Sequence, residues 1–349
     1  MKTRRKKQFR CMITALLALQ VLLLAAGCGQ SERSEPASRI KIGISVYDQY
    51  DTFISSMMDS FNRLVEEEKS GGKQITLEFY DAAGSQKQQD MQAREMIEDG
   101  CRAICINLVD RTAPTTIIDL ARKNNVAVVF FNRELVEEDL LQFDKLYYVG
   151  ADAFQSGILQ GEIAAAACAG RDNPADRNGD GSIQYVVLEG EAGHQDAIVR
   201  TETSVDTLIK SGVQLDKVGY AIANWNRAQA QTKMSQLIDQ YGDRIELVLA
   251  NNDDMALGAI DAYRARSIDL QDRPLIFGID GTAVGLEAIR SHEMAGTVYN
   301  DKDGQAKAML ELALRLAQQE PIDDLDMIDG KYIRLPYTGI TAKNADEFE

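Results

Sequence analysis

Apolar residues recur along this chain in two alternating patterns. Short apolar runs, each closed by Gly, Asn or Asp, predict strands: IKIGISV from Ile40, ITLEFY from Ile75, then AICINL, VAVVFF, LYYVG, IQYVVLEG, KVGYAIA, IELVLA, PLIFGI and AGTVYN. Between most of them lie amphipathic stretches with apolar positions at helical spacing, over about 52–68, 87–98, 116–123, 197–210, 254–264 and 304–318. Further helices are expected through Ile163, through Leu237 and up to Arg290. Strands that alternate with helices imply a parallel sheet covered on both faces. Ten such strands are many for one sheet, so the pattern predicts an α/β chain of two similar doubly wound parallel-sheet lobes.

Ahead of Ile40 the pattern changes. MKTRRKKQFR carries six Lys/Arg and no acid, an apolar run follows from Met12 to Ala26, and Gly27-Cys28 closes it. This predicts a lipoprotein signal peptide over 1–27, cleaved before Cys28, whose thiol then takes a diacylglyceryl group. A membrane-spanning anchor is the competing reading, but the run is short and holds Gln20. Residues 28–39 are polar, contain a proline and read as a flexible tether. The folded part is therefore expected outside the cytoplasm, lipid-anchored to the cell membrane, or periplasmic where an outer membrane exists. Removing the leader takes the formal net charge from -16 to -22, which excludes a nucleic-acid partner. After Cys28 only Cys101, Cys105 and Cys168 remain, without the spacing of a disulfide framework or a zinc site.

Candidate chemistry sits where the predicted strands end. Tyr47, Asn107, Asn132, Asp152, Glu191, Asn224, Asn251, Asn252, Asp280 and Asn300 stand at or just past their carboxyl ends, where open α/β sheets bind ligands. Each alone reads as a turn or helix cap, and Asp253 does so most plainly. As a set, amides and carboxylates with few lysines suit a neutral polyhydroxylated ligand. The segment GEAGHQDAIVR adds His194, Asp196 and Arg200, a mixture of acceptors, donors and a planar fork. Flat aromatic walls for the C–H faces of a sugar are offered by Trp225, the single tryptophan, and by Phe53, for which core packing is the alternative. Just upstream, DRNGDGSIQ spaces Asp176, Asn178, Asp180, the Ser182 carbonyl and Gln184 as in the first nine positions of an EF-hand loop, with Gly181 at the turn. Its twelfth position is Val187, so the loop runs into a strand and the missing carboxylate must come from elsewhere. A metal-free turn is the alternative.

Taken together, DxNxDGxIQ, a strand and GExGHxDAxxR are similar to the D-galactose/D-glucose-binding proteins of methyl-galactoside ABC transporters, and the likeness covers nearly all the chain after the leader. The resemblance implies a type I periplasmic-binding fold with three hinge crossings: a first lobe of 40–133 plus 299–334, and a second of 134–298 plus 335–349. It implies one hexose held by Asp51, Phe53 and Asn107 from the first lobe, by His194, Asp196, Arg200, Asn252 and Asp280 from the second, with Trp225 stacking and Asn300 at the hinge. It also implies structural Ca2+ on Asp176, Asn178, Asp180, Ser182 and Gln184, completed by Glu246. The implied partners are D-galactose or D-glucose, with methyl-galactosides open, and the permease and ATPase subunits of an ABC transporter. A chemoreceptor reading the same surface, and a different sugar or signalling ligand in the same fold, stay open. An enzyme is not expected: no GxGxxG follows a strand, GxxxxGK[ST] and GxSxG are missing, and His194 with Asp196 is a weak acid–base signature.

Overall fold

The computed structural model describes residues 39–169 and 175–348, so the leader, Cys28 and the tether up to residue 38 lie outside the described residues. In chain order the elements are β1 (Ile40–Val46), α1 (Thr52–Ser70), β2 (Ile75–Asp81), α2 (Gln86–Glu98), β3 (Ala103–Ile106), α3 (Thr115–Asn124), β4 (Ala127–Phe131), the single turn α4 (Glu137–Leu140) and β5 (Leu146–Ala151). They continue with α5 (Ala153–Cys168), β6 (Ile183–Glu189), α6 (Gln195–Lys210), β7 (Leu215–Ile222), α7 (Arg227–Tyr241), β8 (Leu247–Ala250), α8 (Asp253–Ala265), β9 (Leu275–Phe277), α9 (Ala283–Arg290) and β10 (Gly296–Asn300). Last come α10 (Lys302–Gln318), β11 (Tyr332–Leu335) and β12 (Tyr337–Thr341).

The central strands β3, β4, β6 and β8 are buried along their whole length, as strands covered on both faces must be. Among the described residues they build two six-stranded sheets, ordered β11-β5-β4-β3-β1-β2 and β12-β10-β9-β8-β6-β7. The first sheet is parallel throughout, and in the second only β12 runs antiparallel, against β10. Each sheet has an apolar core on both faces, so the two doubly wound lobes are present as the periodicity predicts. Cys101, Cys105 and Cys168 are buried free thiols. No described helix is long and apolar enough to cross a membrane.

The chain passes between the sheets three times. Two passages lie close to the boundaries drawn at 298/299 and 334/335, which fall inside β10 and β11: one follows β10, whose successor α10 packs on the first lobe, and the other lies between β11 and β12. The first passage corrects the boundary drawn at 133/134. Strand β5 pairs in parallel with β4, Val128 beside Leu146 through Phe131 beside Val149, and β11 pairs with its other side. The first lobe therefore continues to Ala151, and α5, packed on α6 and β12, opens the second. Only residues 132–145 and one helical turn join β4 to β5, too little helix to mark a βαβ unit in the sequence.

Candidate ligand-binding cleft

Carboxyl ends of strands from both sheets face one small cavity between the lobes. Tyr47, Asp51, Phe53, Asn132 and Arg133 line it from the first lobe; His194, Asp196, Arg200, Trp225, Asn252 and Asp280 line it from the second. Asp51, His194 and Asn252 double as N-caps: Asp51 Oδ1 accepts from the Ile54 N–H at 2.9 Å, His194 Nδ1 from Asp196 at 3.1 Å, and Asn252 Oδ1 from Met255 at 2.9 Å. Capping fixes each side chain at a strand-to-helix turn and aims helix N-termini at the cavity.

On the first-lobe side, the Tyr47 hydroxyl donates to Asp51 Oδ2 at 2.6 Å. Burial, and then the Asp51 charge, push that phenol above its ordinary value, so it stays a donor. The Arg133 guanidinium lies 3.7 Å above the Tyr47 ring, donates to the Val109 carbonyl at 2.7 Å and reaches across to Glu191 Oε2 at 2.9 Å. A second bond between the lobes runs from Thr52 Oγ1 to Asp254 Oδ2, 2.6 Å. Phe53 is buried, packs into the first-lobe core and still contributes to the cavity wall.

Arg200 anchors the other side. Although only 4 % exposed, it sits 3.8 Å from Asp196 and 3.7 Å from Asp280, donates to the Asn251 carbonyl at 2.7 Å and to the Tyr337 hydroxyl at 3.1 Å. Burial alone would lower its pKa, but Tyr337, Asp280 and Asp196 hold it above the usual range. Its Nε has no partner among the described residues, and an unpaired buried donor costs about 1–3 kcal/mol, so a ligand acceptor there would be favoured. Burial raises both flanking acids against the pull of Arg200, Asp280 strongly. Burial, followed by Arg133, Arg200 and Arg111, keeps His194 well below its ordinary value. The ring is then neutral, and with Nδ1 accepting, its proton belongs on Nε2. Trp225 meets the His194 ring edge-on, 5.2 Å between centroids at 80°. It also lies against Gly190, where a Cβ would come within 2.3 Å of the indole. Asn224 and Trp225 both hold left-handed backbone, φ 50 and 61, a strain tolerated where it aims a side chain.

The sheet architecture and the cavity lead to a comparison with known sequences. The family described as "Periplasmic binding protein domain" matches residues 42–321. This chain belongs to the periplasmic binding protein family. A D-galactose/methyl-galactoside binding periplasmic protein MglB of Haemophilus influenzae is 35 % identical over 339 residues, 96 % of this chain and 98 % of that one. A putative rhizopine-binding protein of Rhizobium meliloti is 29 % identical over 90 % of this chain and 93 % of its own. Among solved structures, an ABC transporter solute binding protein from Bacillus halodurans with bound myo-inositol superposes with a TM-score of 0.74 at 27 % identity, covering 90 % of this chain and 98 % of that one.

Of the ten side chains expected at the ligand, this periplasmic binding protein places eight on the cavity: Asp51, Phe53, His194, Asp196, Arg200, Trp225, Asn252 and Asp280. Asn107 and Asn300 are not among the residues that line this cavity. Asn107 is fully buried and ties three strand ends together, donating to the Phe131 carbonyl and to Asn132 Oδ1 and accepting from the Tyr47 N–H. Asn300 accepts from Gln305 and is hydrogen-bonded to Asp280. Three lining residues were missing from the expected set. Tyr47 and Asn132 stood at strand ends, and Arg133 had as its signal a lone cation in FFNRE, directly past β4. Asp253 is a correction: Asn252 caps α8, and Asp253 is its first residue, turned inward.

The Asp176–Gln184 loop enters β6 as its spacing requires. Asp176 accepts from the Gly179 and Gly181 N–H groups at 2.8 and 2.9 Å, and Asp180 Oδ2 accepts from Gln184 Nε2 at 3.1 Å. Glu246, at the foot of β8, reaches this loop across 62 positions of sequence and accepts from the Arg177, Asn178 and Gln184 N–H groups. The donor set is all oxygen, three carboxylates with amide and carbonyl groups, which is the chemistry a hard cation such as Ca2+ takes. No three His, Cys, Asp or Glu side chains are grouped as metal ligands among the described residues.

Proposed function

We propose that this protein captures D-galactose or D-glucose in the interlobe cleft and delivers it to an ABC permease. One observation carries the reading: buried Arg200, flanked by Asp196 and Asp280 and with Nε unpaired, shares a small cavity with the Trp225 ring. Carboxylates accept from sugar hydroxyls, guanidinium and imidazole N–H groups donate to them, and an aromatic face packs on ring C–H groups. The 35 % identical relative named for galactose and methyl-galactoside supports the hexose, whereas inositol-type ligands of more distant relatives make a cyclic polyol the natural competitor. Lipid anchoring through Cys28 and a structural Ca2+ on Asp176, Asn178, Asp180, Ser182, Gln184 and Glu246 belong to the same proposal. Glu246 would close the ligand shell that the loop begins, and the ion would cross-link that loop to the start of β8.

The test is a fluorescence titration with D-galactose, D-glucose, D-ribose and myo-inositol, using Trp225 as the single reporter. Saturation by either hexose at concentrations where ribose and inositol do nothing is expected. Saturation by inositol alone would move the assignment to polyols.

A further inference from the structure

Asp253 touches no part of the cavity, yet it is an ionisable side chain with 0 % exposure one residue beyond Asn252. Its N–H donates to the Ile279 carbonyl at 2.7 Å. Its Oδ2 accepts from the Thr282 N–H at 2.7 Å and the Thr282 hydroxyl at 3.0 Å, and Oδ1 accepts from the Thr297 hydroxyl at 2.5 Å. Ile279 and Thr282 bracket Asp280, whose φ of 118 is one that side chains other than Gly rarely adopt. A seat is also kept open for this carboxylate: a Cβ on Gly278 would come within 2.3 Å of Oδ1, and one on Gly285 within 2.3 Å of Oδ2. Burying an acid is costly, and burial pushes this one up to about 7 even with three bonds favouring its charge.

We propose that Asp253 is the positioning residue of the cleft, gripping the chain on both sides of Asp280 and so fixing the direction in which Asp280 meets Arg200 and a ligand hydroxyl. The inference rests on the reading of the cleft as a hexose site. An apolar residue of similar volume would fill the same seat, but it would leave the Thr282 N–H and two threonine hydroxyls unheld and the turn free to relax.

Calorimetry with glucose, galactose and their monodeoxy derivatives on the wild type, Asp280→Asn, Asp253→Asn and Asp253→Ala tests this. Asp253→Asn keeps acceptor and shape and should bind within about threefold of wild type; Asp253→Ala should bind at least tenfold more weakly. The deoxy sugar that makes wild type and Asp280→Asn equal should also make wild type and Asp253→Ala equal. Equal loss on every deoxy sugar, tracking a fall in Tm, would show a merely structural residue and overturn the proposal. If Asp253→Ala does not fold, Gly285→Ala, which drives a methyl into the carboxylate, takes its place with the same expectations. A crystal structure of either variant with Asp280 unmoved would also overturn it, whatever the ligand. Failure of the wild type to bind any hexose would overturn the hexose reading alone.

Discussion

Replacing Glu246 with alanine separates two contributions that converge at the foot of β8. The carboxylate is 1 % exposed and holds the Arg177, Asn178 and Gln184 N–H groups at 2.7, 3.1 and 3.1 Å. Gln184 is buried, and the other two N–H groups lie in an exposed loop, where water takes over part of the loss. At about 1–3 kcal/mol for a fully buried unsatisfied donor and less for the wetter pair, Glu246→Ala should destabilise the second lobe by about 2–5 kcal/mol with no metal present. The proposed calcium site would add a separable effect: at a hundred times its dissociation constant, an ion that binds only the folded chain stabilises it by about 2.7 kcal/mol. Urea unfolding of wild type and Glu246→Ala, in chelator and in excess calcium chloride, reads both. The variant should start lower in chelator and gain nothing from calcium, while the wild type gains. Wild-type stability of Glu246→Ala in chelator would refute the hydrogen-bond reasoning, and a wild type indifferent to calcium would refute the metal site.

Trp225→Ala should weaken hexose binding by about 2–4 kcal/mol, roughly 30-fold to 1,000-fold by calorimetry; retained affinity would remove the stacking wall. Glu191 is half exposed, so Glu191→Gln should cost less than about fivefold in affinity, whereas Arg133→Ala also loses the Val109 bond and the Tyr47 stack and should cost clearly more. Equal effects would mean that the interlobe pair is all Arg133 does. Because folded His194 resists protonation, the unfolded chain takes up the proton first, and its contribution to stability should fall as pH drops below about 6.5. Urea midpoints of His194→Gln should lack that component of the acid slope. Asp253 works in the opposite sense: its acid is raised to about 7, so the folded chain holds a proton that the unfolded chain releases near pH 4. Its contribution is present below about pH 4 and lost as pH rises to about 7, at most about 4 kcal/mol, and Asp253→Asn should flatten it in the same titration.

The alternation of apolar runs and amphipathic stretches made the two-sheet architecture readable, because fully buried strands and one-sided helices differ in period. Strand β5 was readable as a strand, but its lobe was not, since sheet membership is decided by pairing partners remote in sequence. Strands β11 and β12, four and five residues around Pro336, carry too few apolar positions to register. At the rim, the sequence locates strand ends but not the direction of the side chains. Asn251 turns inward to the Gly190 N–H while its neighbour Asn252 lines the cavity, and Asn107 turns between strands where Tyr47 and Arg133 turn outward. Asp253 shows the limit most clearly, since a cap and a buried clamp look alike in NNDDMALG.

Pro336 alone separates β11 in one sheet from β12 in the other. A proline with fixed φ, held between two paired strands, leaves almost no slack in that connection. The other two passages run with equal economy, from β5 into α5 through Asp152 and from β10 into α10 through Asp301, both of them helix caps. Three short, neighbouring passages favour rotation of the lobes about a common axis over translation. The Arg133–Glu191 and Thr52–Asp254 bonds join the two lobes, so both would have to break before any such rotation could part them.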